Sequence, residues 1–166
     1  VNSKGIEFYN NKGEYNADIA FKLYSPYIYT SGKYAVVADI GAENAIVLKN
    51  GKQAYKISEK EPIYSVSVNK NGYTAVLTSE SGYKSTVVIY NNMGSKVYTW
   101  YSGDLYAVDI KISENNKRFA VAGVLAEDSL KSVVKFFKLS EDNPVSEVIL
   151  DSEVAYQLEY KGSNAL

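Results

Sequence analysis

The sequence predicts an all-β chain built from repeated four-stranded antiparallel units. Three observations carry this. Short runs of alternating polarity, rich in Val, Ile and Tyr, are separated by Gly and Asn clusters, the mark of strands and hairpins rather than of a 3.6-residue period. A strand, turn and strand unit recurs along the chain, and each complete copy is followed by a second hairpin.

Taken in order, residues 1–24 hold an outer hairpin, a strand from Gly5 to Tyr9 and another from Tyr15 to Phe21. Residues 25–61 open on Tyr27-Ile-Tyr29, turn at Thr30-Ser-Gly32 and return along Lys33-Tyr-Ala-Val-Val37. Their second hairpin runs from Ala45-Ile-Val-Leu48 through Asn50-Gly51 into Ala54-Tyr-Lys-Ile57. Asn and Gly tolerate the positive φ that a tight hairpin turn requires. In residues 62–104, Tyr64-Ser-Val-Ser-Val68, Asn69-Lys-Asn-Gly72 and Tyr73-Thr-Ala-Val-Leu-Thr78 repeat the inner unit, followed by strands at 86–90 and 96–100 around Asn91-Asn-Met-Gly94. Residues 105–154 repeat it again as Tyr106-Ala-Val-Asp-Ile110-Lys-Ile112, Ser113-Glu-Asn-Asn116 and Lys117-Arg-Phe-Ala-Val-Ala122. Residues 155–166 begin a further copy at Tyr156-Gln-Leu-Glu-Tyr160.

Units of about 36 to 50 residues, each of two hairpins, match the period of β-propeller blades. The alternation of apolar strand, Ser/Asn-rich turn and aromatic-Ala-Val strand resembles WD40 and YVTN-type repeats over nearly the whole chain, although the Gly-His and Trp-Asp signatures of WD40 repeats are absent. The Tyr-, Lys- and Asn-rich style, with Gly5-Ile-Glu-Phe-Tyr9 at the opening and Tyr73-Thr-Ala-Val-Leu77 inside, resembles a clostridial family of membrane-anchored propellers of unknown function. That resemblance implies an extracytoplasmic setting, with the membrane reached only through segments absent from this chain. It implies no activity.

Half a blade, three whole blades and the start of another are fewer than most closed rings contain. The expectation is therefore a fragment of a larger propeller. Its exposed blade edges would pair with a second copy, or its two ends would close on one another.

Composition narrows the chemistry. The 166 residues contain no Cys and no His, which removes disulfides, thiolate catalysis, imidazole relays and Cys- or His-based metal sites. Lys and Arg number 18 against 19 Asp and Glu, so no basic field favours nucleic acid. No calcium loop or phosphate loop is present; Ser79-Glu-Ser-Gly82 lacks the required Lys and helix. No cofactor, metal or catalytic residue is assigned.

The candidate binding surface has two parts. Trp100 and Tyr101, near Tyr83 and Tyr98, offer aromatic area for a sugar or peptide, although packing between blades is the favoured role for these strand residues. Sorting loops by the end of the blade at which they emerge gives one basic side, including Lys49, Lys52, Lys70 and Lys96. The other side is acidic, including Asp39, Glu43, Glu59, Glu80, Asp104, Glu127 and Asp128. Such a plate would orient on an anionic surface and present its acidic face. The pairs Glu127-Asp128 and Glu141-Asp142 read as solvated loops rather than as glycosidase carboxylates.

On the inner strands, Ser65 and Ser67, Asp109 and Lys111, and Gln157 and Glu159 occupy equivalent polar positions. They are expected to satisfy backbone groups between blades or to face water, lining a central channel being the other course open to them. The expected function is a non-catalytic interaction module for an unknown protein or glycan outside a Gram-positive-type cell. The alternative is a propeller glycosidase or lyase whose site other blades complete.

Overall fold

The computed structural model describes residues 1, 4–125, 131–151, 153–161 and 164–165. Every regular element among them is a β-strand. A hairpin of β1 (Gly5–Tyr9) and β2 (Tyr15–Ala20) comes first. Three four-stranded antiparallel sheets follow, each in sequence order. They are β3 (Pro26–Ser31) to β4 (Tyr34–Asp39), β5 (Asn44–Lys49) and β6 (Lys52–Ser58); β7 (Ser65–Val68) to β8 (Thr74–Thr78), β9 (Ser85–Tyr90) and β10 (Lys96–Ser102); and β11 (Leu105–Ile112) to β12 (Arg118–Leu125), β13 (Lys131–Lys138) and β14 (Ser146–Leu150). The short strands β15 (Tyr160–Lys161) and β16 (Asn164–Ala165) pair last.

The turn chemistry is local and explicit. Asn50 and Gly51, joining β5 to β6, both take positive φ, 50° and 71°, as a two-residue hairpin turn demands. At the wider turns an Asn side chain replaces the missing backbone partners. Asn69 Oδ1 accepts from the amides of Asn71 and Tyr73, and Asn91 Oδ1 from those of Met93 and Ser95.

Strand alternation explains how the blades stack. Along β4, Val36 and Ala38 pack with Val66, Val76 and Val88 of the next blade, while Val37 packs with Ile6 and Ile46 toward the first hairpin. Along β8, Val76 faces back, and Ala75 and Leu77 face forward onto Phe119, Val121 and Phe137. Along β12, Ala120 and Ala122 face forward onto Leu158. A middle strand buried on both faces needs a near-continuous apolar run, which is what 34–38, 75–77 and 119–122 supply. Each fully buried Val, Ile or Phe contributes about 1.5–3 kcal/mol. The largest packed element is Phe119 stacked on Phe137 at 4.5 Å between centroids, flanked edge-on by Tyr98 and Trp100.

Candidate functional site

The inner strands β7 and β11 and the segment 157–159 turn one face to a core between blades and the other to a common axis, whereas on β3 the residue between Tyr27 and Tyr29, Ile28, is 45% exposed. Val66, Val68, Ile110, Ile112 and Leu158 take the core side. Their neighbours Ser65, Ser67, Asp109, Lys111, Gln157 and Glu159, joined by Tyr27 and Tyr29 of β3, line two axial cavities. Both courses open to these residues are taken: they line the axial cavities, and Asp109 also accepts from the backbone amide of Leu158 in the adjoining segment. Blade packing brings the polar edges of three strands and the segment 157–159 together.

The upper cavity is an open well of about 540 Å³. Tyr27, Tyr64 and Tyr156, from three different blades, stand around its mouth with Ile40 and Val108. Tyr64 is 52% exposed and Tyr156 77%. Val108 sits at a register shift between Ala107 and Asp109, and this bulge lets the consecutive Val108 and Asp109 both line the well.

The floor of the well is a buried ion pair. Lys111 Nζ donates to both carboxylate oxygens of Asp109 at 2.8 Å and lies 4.8 Å from the centroid of the Tyr29 ring. Asp109 also accepts from the Leu158 amide at 2.8 Å and from the Ser65 hydroxyl at 3.4 Å. Below it, a small cavity of about 60 Å³ is lined by Tyr29, Ser67, Asn69 and Glu159. The Tyr29 hydroxyl donates to Glu159 at 3.3 Å, and burial together with the Glu159 charge holds its proton well beyond the usual phenol range. Burial, Asp109 and Glu159 raise Tyr27 in the same direction.

The sequence-predicted residues are spread over several places. Pairing across β9 and β10 puts Trp100 opposite Val87, facing the Phe137 core, and Tyr101 opposite Thr86 on the other face. Tyr101 instead meets Tyr83, with ring centroids 4.8 Å apart. Trp100 and Tyr101 therefore form no common platform. Asp39 is 4% exposed, and its Oδ1 accepts from the amides of Tyr24 and Ser25, so it ties the incoming loop to β4 rather than facing solvent. Glu43, Glu80 and Asp104 are exposed. Asp104 accepts from Ser102 at 2.6 Å, and that hydrogen bond, helped by Lys135, lowers its pKa. Glu127 and Asp128 lie outside the described residues.

On the basic side, Lys70 pairs with Glu114, and Lys138 with Glu141 at 2.6 Å; Lys96 reaches Glu59 at 2.8 Å. Glu59 is itself buried, so the two faces are less sharply charged than loop sorting implies. The rim tyrosines were missed as site residues because a Tyr heading each inner strand reads locally as strand propensity. Their recurrence at positions 27, 64 and 156 was the available signal.

The model of the Family of unknown function (DUF5711) matches residues 1–166. The chain belongs to this family. Comparison with curated proteins returns no match. Among solved structures, this DUF5711 chain is similar to Kuenenia stuttgartiensis hydrazine synthase, at TM-score 0.67 and 13% identity over 95% of the chain and 46% of that protein. It is similar also to the β-propeller domain of Myceliophteria thermophila Cps50 (Swd1), at TM-score 0.69 and 8% identity, covering 93% and 52%. Neurospora crassa Pan2 WD40 domain matches at TM-score 0.58 and 14% identity, covering 90% and 48%. The chain spans about half the length of these structures. At such identities the likeness shows the fold, a β-propeller of WD40-like blades.

Proposed function

We propose that this chain is a non-catalytic recognition module whose partner, a protein or glycan, engages the tyrosine rim of the axial well. The observation that carries the reading is the convergence of exposed Tyr27, Tyr64 and Tyr156 from three blades on one mouth. Tyrosine offers a large rigid contact area with a polar tip at small entropic cost, which is why it concentrates in binding surfaces. The floor supports binding over catalysis. Both Asp109 oxygens already accept hydrogen bonds from an ammonium group, and one of them also from an amide, so the carboxylate is poorly placed to take a proton from a substrate. The reading includes an extracytoplasmic setting, supported by the resemblance to membrane-anchored propellers and tested by protease treatment of intact cells.

Site-specific photocrosslinking in cells that make the protein tests the rim. The crosslinker replaces Tyr64 in one variant and Met93 in another. Met93 is 77% exposed in the β9–β10 turn, at the opposite end of the blade. A discrete adduct from position 64, absent from position 93 and lost on replacing Tyr27 and Tyr156 by Ala, supports the proposal. Equal adducts from both positions, or none from position 64, refute it. Cleavage of a cell-surface polysaccharide by the purified protein would favour the enzyme reading instead.

A further inference from the structure

The loops that carry the tyrosine rim also fix the charge around it. The Gly41 amide donates to Ile63 O at 2.9 Å and the Ile63 amide to Ala42 O at 2.7 Å, which laces the loop after β4 to the loop before β7 beside Ile40 and Tyr64 at the mouth of the well. Glu43 and Glu61, each within two residues of these bonds, are both exposed. The loops after β2, β4, β6, β8, β10 and β14 all leave their sheets at this end. On them Glu43, Glu61, Glu80, Asp104, Asp151 and Glu153 are exposed, against Lys22, Lys60 and Lys84. The end is therefore negative.

The axis adds to this sign. Lys111 offsets one of the axial carboxylates, Asp109, and leaves the charge of Glu159 beneath the well. Burial raises the Tyr27 pKa, and the charges of Asp109 and Glu159 raise it further, the mark of a negative field at the mouth.

Ring faces supply a second, independent feature. The chain's own ammonium groups settle on tyrosines at this end, Lys22 Nζ at 4.9 Å from the centroid of Tyr24 and Lys84 Nζ at 5.1 Å from that of Tyr106. The negative face of an aromatic ring attracts a cation at about this range. Tyr64 and Tyr156 hold no such group from the described residues, and their exposure puts both rings within reach of a partner.

We infer that the partner of the rim is a protein segment rich in Arg and Lys, whose guanidinium and ammonium groups lie on the open ring faces of Tyr64 and Tyr156 among the surrounding carboxylates. The inference rests on the reading of the rim as a binding surface and adds the partner's charge to it. An acidic partner would meet like charge here, and a neutral glycan would gain nothing from the field.

The test is titration of the full chain with a Gly-Arg repeat peptide, with Gly-Gln and Gly-Glu repeats of equal length as controls. It is followed by the ring resonances of Tyr64 and Tyr156 and by the methyl of Met93, the single methionine, at the opposite end. The Gly-Arg repeat should shift both tyrosines and leave Met93 in place, with a Kd on the order of 100 μM at about 20 mM salt that weakens about tenfold at about 300 mM. Tyr64→Ala should weaken binding about threefold, as should the pair Glu43→Gln and Glu61→Gln, at unchanged Tm because all three side chains are exposed. Equal binding of the Gly-Gln repeat, tighter binding of the Gly-Glu repeat, an equal shift at Met93, or no saturable shift at about 5 mM peptide overturns the inference. A photocrosslinked adduct from position 64 alongside no response to the Gly-Arg repeat overturns the basic partner and leaves the rim a binding surface, so the two failures are distinguishable.

Discussion

Replacing Lys111 by Met probes the ion pair at the floor of the axial well. The Lys111 and Asp109 side chains are only 5% and 9% exposed, and the ammonium group supplies a bond to each carboxylate oxygen. Without it, Asp109 keeps the Leu158 amide at 2.8 Å and the long contact to Ser65. Removing one member of a buried pair costs about 3–5 kcal/mol, because the remaining charge is left desolvated. The retained amide and the apolar stem of Met against Tyr29 place the expected loss near 3 kcal/mol. In a domain of this size that lowers Tm by roughly 6–12 °C. The double variant Asp109→Asn, Lys111→Met removes both charges and leaves an acceptor for the Leu158 amide. It should lose only about 1 kcal/mol relative to the parent, a coupling energy of at least 2 kcal/mol. Urea denaturation at pH 7 reads these values as midpoints at constant m. A Lys111→Met loss under about 0.5 kcal/mol, or a double variant equal to the sum of the singles, would refute the account of the floor.

Two further outcomes follow from local geometry. Gly72 and Gly13 both take positive φ, 85° and 79°, but a Cβ at Gly72 would lie 2.5 Å from the Tyr34 ring, whereas Gly13 faces open space. Gly13→Ala should cost about 1 kcal/mol from backbone strain, and Gly72→Ala about 3 kcal/mol or more; equal losses would contradict the packing of Tyr34. The Tyr55 hydroxyl donates to Gly72 O at 3.0 Å and shares a hydrogen bond with Thr74, and burial pushes its pKa up to about 12 from 10.0. The native state holds this proton where the unfolded chain has lost it, so its contribution is complete below pH 10 and disappears as pH rises toward 12. Tyr55→Phe should cost about 1 kcal/mol at pH 7 and flatten the decline above pH 10 in denaturation midpoints; an unchanged slope would count against it.

Much of the fold was legible because it is written in short-range chemistry. The Asn50-Gly51 turn needs no distant partner, and neither does the side-chain turn at Asn91; Asn69 makes the same local bonds through Oδ1 while its Nδ2 reaches Ser113 O and Asn116 in the next blade. The site was far less legible. Asp39 reads as a surface carboxylate until the loop carrying Tyr24 and Ser25 is seen to close over it. Trp100 and Tyr101 read as one aromatic pair until the pleat sends them to opposite faces. Tyr27, Tyr64 and Tyr156 are separated by 37 and 92 residues in the chain, and nothing local announces that they share a mouth.

By itself the sequence determined an all-β chain of antiparallel hairpins, the absence of Cys and His chemistry, and the two-residue alternation on every inner strand. Only the tertiary structure decided what each face of that alternation meets. It set Ser65, Asp109 and Gln157 around an axial well and Tyr64 and Tyr156 at its mouth. The physical reason is that alternation is a property of one strand's backbone. The identity of the neighbour on each face depends instead on how whole blades stack, through burial summed over residues far apart in the chain.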